Sequence, residues 1–180
     1  MFFNSTNPNK TQFGTNRAKA SQINRIKNFA DKVLYNYNEH LRNNIVDALL
    51  SLQKEYTPTV SASKNKIVFK VKDIIINDSV YSLIYNKGSI GFEFFPHGED
   101  FCCNVSLPIR HPHWSRTMGL CSGDQYLYLE NFKDKGLLFE YFELVLTILK
   151  TYNEDDTYDR CKVRQLFYRN PNLGYVRSTY

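Results

Sequence analysis

An α+β fold is predicted for this 180-residue chain by three observations. Apolar residues recur at steps of three and four over 23–50 and again over 137–152, the spacing of one helical face. Between those stretches, from 67 to 109, the period shortens to two and is broken by short turns, as in antiparallel strands. Hydrophobic residues make up 42% of the chain and aromatics 15%, enough for one core in which the 13 Tyr and 13 Phe carry much of the buried area.

Residues 1–20 are rich in Asn, Thr, Ser and Lys, with only Phe2, Phe3 and Phe13 as anchors. They read as a flexible arm whose ordering needs a protein partner, because three rings bury too little to offset the entropy of fixing them. Ser21 is a candidate N-cap. After it, Ile23, Ile26, Phe29, Val33, Leu34, Tyr37, Leu41, Ile45, Leu49 and Leu50 form one helical stripe. Weak helix formers at Asn36 to Asn38 and at Asn43 and Asn44 predict a kink or a division there. Thr57-Pro58 ends the helical run, and 61–65 reads as a loop.

Ile67, Phe69 and Val71 mark a first strand, which Ile74-Ile75-Ile76 extends or ends in a bulge. Residues 80–85 are a second strand, and Asn86-Lys87-Gly88 is a turn. Residues 89–95 are a third, closed by Pro96-His97-Gly98. Cys103, Val105, Leu107 and Ile109 alternate as a fourth, with Cys103 on the core face. The expected product is one four-stranded meander, covered on one face by helices at 21–55 and 137–152. The second helix carries Leu137, Leu138, Tyr141, Phe142, Val145, Ile148, Leu149 and Tyr152, and a weaker helical or extended piece follows at 158–168. No internal repeat is seen. One domain at 21–160 is expected, flanked by the arm at 1–20 and a basic C-terminal extension at 161–180.

The net charge of +5 is unevenly spread. Lys10, Arg17, Lys19, Arg25 and Lys27 precede any acid, 128–158 is acid-rich, and Arg160, Lys162, Arg164, Arg169 and Arg177 face only Asp159 near the end. Basic ends flanking an acidic region could dock a partner, but solvated faces are the commoner explanation. No nucleic-acid-binding motif accompanies the basic ends, so a nucleic-acid partner is not expected. Four cysteines, two of them adjacent, make no disulfide framework. Met1-Phe2-Phe3 passes straight into polar residues, unlike a signal peptide, and no apolar run has membrane-spanning length. A reducing cytoplasmic setting is expected, with no membrane association and no cofactor.

Chemistry concentrates in residues 108–123, which hold His111, His113, the single Trp and Cys121 in a Gly-Leu-Cys-Ser-Gly run. Polar and turn-forming neighbours should leave that thiol the most exposed of the four, with Cys103 largely buried. An accessible Cys near His and a carboxylate is a candidate nucleophile. The plainer alternative is a loop joining strand to helix. His111, His113 and Cys121, with Cys102, Cys103 or Cys161, count four zinc donors, but their spacing is not a standard zinc pattern, and no metal is expected.

His111-Pro112-His113, followed by Gly119-Leu120-Cys121, resembles the active site of ubiquitin-conjugating enzymes, where His-Pro-Asn precedes Gly, an apolar residue and the catalytic Cys. Downstream, the stretch from Leu149 to Tyr158 is similar to that family's helix end and Asn-x-x-Asp segment. The His-Pro-His form is most similar to bacterial, plasmid and phage branches, and the resemblance covers about residues 20–160. It implies the ubiquitin-conjugating fold, with Cys121 carrying a ubiquitin-like modifier as a thioester and passing it to an amine. The modifier and its activating enzyme would be partners. His113, in place of Asn, would donate to the oxyanion, Asp124 would orient or deprotonate the amine, and His111, Pro112 and Gly119 would shape the loop. Inactive members of the family keep the fold for docking alone, so the alternative is a binding or assembly module, such as a component of a phage particle.

Overall fold

The computed structural model describes residues 9–77, 81–108, 111–115, 119–151 and 174–177. Its first elements are α1 (Asn9–Val33) and α2 (Glu39–Glu55), which pack on each other. The helical stripe thus divides at the first of the two weak points. Asn38 caps α2, its side-chain oxygen accepting from the His40 N–H at 2.9 Å, as Asn does where four backbone donors have no helical partner. The corner is fastened from beneath. Tyr37 donates its hydroxyl to the carbonyls of Phe95 (3.2 Å) and Asp100, and its burial raises its pKa to about 12. The helix also begins earlier than Ser21 predicted, running through 9–20 of the expected arm. Residues 1–8 lie outside the described part. From Lys19 onward, the first buried side chain is Ile26, so the core takes hold of α1 there.

A single sheet of four antiparallel strands follows, but its membership differs from the expected meander. Its order is β1 (Pro58–Ser61), β2 (Lys66–Val71), β5 (Gly88–Phe95) and β6 (Asp100–Ser106). Register places Val60, Ile67, Phe92 and Cys103 in one cross-strand row and Pro58, Phe69, Ile90 and Val105 in the next, all on the core face. The first strand thus starts at the Pro58 break, where no strand was expected, and the loop read at 61–65 holds a single 3₁₀ turn, Ala62–Lys64.

The segment read as the second strand leaves this sheet altogether. β3 (Ile74–Asn77) and β4 (Tyr81–Tyr85) form a hairpin of their own, extended by β9 (Gly174–Arg177). The reason is local. Asp73 takes a left-handed φ of 53°, which stops β2 and redirects the chain. Ile74 and Ile76 are then buried under α4, while β2 pairs directly with β5 from Lys66↔Glu93 to Val71↔Gly88. Gly88 sits close at that crossing, since a Cβ there would lie 2.7 Å from Leu107 Cδ2 and would push that side chain aside.

Two short strands, β7 (Trp114–Ser115) and β8 (Gly119–Leu120), form a small antiparallel pair. They lead to α3 (Tyr126–Asp134), for which the sequence reading had no element, and α4 (Leu138–Lys150) closes the core. Leu138, Phe142, Val145 and Leu149 of α4 are all buried. Phe142 meets Phe69 edge-on at 5.6 Å and Tyr56 at 4.8 Å, joining α4 to the sheet and to the end of α2. Gly136 turns α3 into α4 with φ 67°, hard against Leu41 of α2. Among the described residues, no helix is long and apolar enough to cross a membrane. Ile109 and the segments at 158–168 and 161–173 lie outside the described residues.

Candidate functional site

The site is built on a turn. Pro112 follows His111, and the Trp114 N–H returns to the His111 carbonyl at 3.2 Å, so proline occupies the second turn position that its fixed φ suits. His111 and Pro112 are both buried, and Trp114 is 8% exposed. The turn is therefore anchored in the core and not laid over it.

His111 is the anchor. It is 4% exposed, and both of its nitrogens are committed. Nε2 lies 2.8 Å from the Leu149 carbonyl, and Nδ1 lies 3.0 Å from the His113 backbone nitrogen. A carbonyl only accepts and a peptide N–H only donates, so Nε2 carries the proton and Nδ1 is bare. Leu149 sits in the last turn of α4, where carbonyls lack helical donors, so His111 also closes the end of that helix. Burial lowers the His111 pKa to about 4, which keeps the ring neutral at physiological pH. Its ring centroid lies 5.3 Å from that of buried Tyr85 and 6.0 Å from that of His113.

Cys121 is tied to this turn. Its backbone N–H donates to the His113 carbonyl at 2.7 Å, just after Trp114 and Ser115 pair with Leu120 and Gly119. Gly119 adopts φ 73° with open space where a Cβ would stand, a conformation that favours glycine. Cys121 is exposed, His113 is half-buried, and Asp124 is exposed in the 3₁₀ turn Gly123–Gln125. The structure thus joins His111, His113 and Cys121 through backbone and ring contacts. Asp124 lies on the next turn, and among the described residues its carboxylate has no hydrogen bond or ion pair.

The other thiols are distinguished by strand alternation. Cys102 is exposed like Cys121, so exposure alone does not single out Cys121; Cys161 lies outside the described residues. Cys103 as a residue keeps some exposure, but its side chain packs on the core. Burial pushes that thiol up to about 12, out of the reactive range. Among the described residues no three His, Cys, Asp or Glu side chains gather as a metal site would need, and His111 has no free nitrogen to offer.

Sequence reasoning missed two features here. One is a groove of about 280 Å³ between β6 and the β7–β8 pair, bordered by Asn104, Val105, Ser106, Trp114, Gly119 and Leu120. No sequence signal marks it, because its walls come from separate segments. The other is the exposed run Tyr126, Leu127 and Tyr128 on the first turn of α3. All three follow the thiol-bearing loop in the chain, and as consecutive helical residues they fan outward from α3 into solvent. No family model matches the sequence, and neither a curated protein nor a solved structure shows significant similarity to it.

Proposed function

We propose that the protein is a ubiquitin-conjugating-enzyme-like acyl carrier, with Cys121 as its nucleophile. The observation that carries the reading is the 2.7 Å bond from the Cys121 N–H to the His113 carbonyl. It ties the backbone of an exposed cysteine to a His-Pro-His turn that neutral His111 fastens to the end of α4. The α+β layout of N-terminal helices, a four-stranded antiparallel sheet, an extended thiol loop and following helices supports the ubiquitin-conjugating fold.

Two balanced steps follow. The Cys121 thiolate attacks the thioester carbonyl of a modifier carried by its activating enzyme; a new C–S bond forms, and the enzyme's thiolate leaves as the old one breaks. An amine then attacks the Cys121 thioester. The C–N bond forms, the C–S bond breaks, and the proton lost by nitrogen neutralises the departing thiolate. Asp124 is the carboxylate on this loop suited to relay that proton, and a ring N–H of His113 would stabilise the oxyanion. The energy comes from the activating enzyme's ATP, so the chain itself needs no cofactor.

The test is adduct formation. With a ubiquitin-like protein, its activating enzyme and ATP, the chain should form an adduct that thiols release. Cys121→Ala should abolish it, and Cys121→Ser should leave an ester that thiols do not cleave. Loading that survives Cys121→Ala would end the proposal. The second reading, an inactive docking module such as a phage-particle component, is favoured by the exposed Tyr126, Leu127 and Tyr128. It prevails if no adduct forms.

A further inference from the structure

We infer that the groove beside Cys121 is a strand-addition site, where the extended C-terminal tail of the acyl donor pairs with the outer edge of β6. The inference rests on the thioester reading of Cys121, and it names how the donor is held.

β6 is the last strand of its sheet. One edge pairs with β5 from Ser89↔Ser106 to Phe95↔Asp100, and among the described residues no strand is hydrogen-bonded to the other. Such an edge presents a row of backbone donors and acceptors that fits another extended chain. The β7–β8 pair does not fill the position. It contacts β6 yet forms a separate sheet, leaving a groove of about 280 Å³ between them. A space of that size admits a single extended chain with small side chains and excludes a folded domain.

The groove is placed for acyl transfer. Leu120 lies on its far wall and precedes Cys121 in the chain, so the groove borders the segment that carries the thiol. Trp114 offers an apolar surface, Asn104 and Ser106 are exposed on the β6 side, and Gly119 leaves open the volume a side chain would take. The occupant is the donor and not the acceptor. A thioester's acyl half is the end of a polypeptide and can lie along an edge for several residues, whereas an acceptor lysine arrives on one side chain and needs no backbone ladder.

Trp114 is the single tryptophan of the chain, so its fluorescence reports the groove directly. The probe is a synthetic peptide of alternating Ser and Val ending in Gly, titrated into the reduced full-length protein. A saturable change is expected, and N-methylation of alternate peptide amides should weaken binding by about tenfold or more, since it removes ladder donors. Ser106→Tyr should do the same with an unchanged melting curve, and should raise the modifier concentration for half-maximal loading by about tenfold while sparing the maximal rate. Cys121→Ser should bind the peptide as the parent does, which separates the groove from the chemistry. If Cys121 loads but the peptide never saturates, or its N-methylated form binds equally well, strand addition fails while the thioester reading stands. If the peptide binds but Cys121 never accepts an acyl group, the donor assignment falls with the thioester reading. If the free chain pairs its β6 edges in a dimer that peptide cannot dissociate, the edge belongs to a second copy and the inference is wrong.

Discussion

Replacing His111 with Phe removes one ring and tests the anchor on which the candidate site depends. Phenylalanine can fill the same buried volume, but it cannot donate to the Leu149 carbonyl or accept from the His113 N–H, now 2.8 and 3.0 Å from the imidazole. Two backbone groups lose their partners, each at about 1–3 kcal/mol when burial persists, so a total near 3 kcal/mol is expected. For a chain of this size that is a fall in Tm of roughly 6–12 °C. The variant also changes how stability depends on pH. Folding lowers the His111 pKa from 6.5 to about 4, because burial disfavours the cation. The neutral ring therefore contributes its full stability above pH 6.5, and that contribution is lost as pH falls towards 4. At about 1.4 kcal/mol per pH unit, the loss across that window amounts to roughly 3 kcal/mol. Urea unfolding of both proteins between pH 7.5 and 4 checks this. The parent curve should fall more steeply than that of His111→Phe, other groups cancelling in the comparison. Parallel curves would show that His111 is not buried neutral, and the account of the anchored turn would fall with it.

Three further outcomes follow from the same contacts. Phe142→Ala should cost about 3–5 kcal/mol in urea unfolding, because the ring is fully buried and meets Phe69, Phe92 and Tyr56; a cost below 1 kcal/mol would mean the core is not organised around it. Gly136→Ala should destabilise by about 2 kcal/mol or more through its φ of 67° and a Cβ placed 2.7 Å from Leu41 Cδ1, whereas Gly119→Ala, at φ 73° in open space, should cost only about 1 kcal/mol. Equal losses at the two glycines would refute the close approach of α2 to the α3–α4 turn. His113→Ala should leave the Cys121 adduct forming at the parent rate and slow its transfer to an amine by about 100- to 1,000-fold, as loss of one oxyanion donor does; single-turnover discharge separates the two steps.

The sequence made the periodic elements legible and left the topology hidden. Stripes of apolar residues located α2, α4 and the alternation of β2, β5 and β6, since burial of one face imposes the period directly. What ended each element was harder to read. Asp73 does not look like a strand terminator, yet its left-handed backbone sends Ile74 and Ile76 under α4 and removes a hairpin from the main sheet. Pairing partners are set by such reversals and by contacts between distant segments, which no local window contains. The same holds at the site. The turn chemistry of Pro112 and the glycine at 119 were visible as residue types, and so was a thiol among polar neighbours.

That His111 is the buried member of the pair, and His113 the half-buried one, was not visible, because the difference is made by Leu149 and Tyr85 from other elements. This division of labour has a physical consequence for the two histidines. A ring with both nitrogens committed cannot exchange protons without breaking a backbone contact, so His111 is suited to holding the loop and unsuited to chemistry. The neighbouring His113 ring is half-buried, 6.0 Å from that of His111, on the turn whose carbonyl accepts the Cys121 N–H.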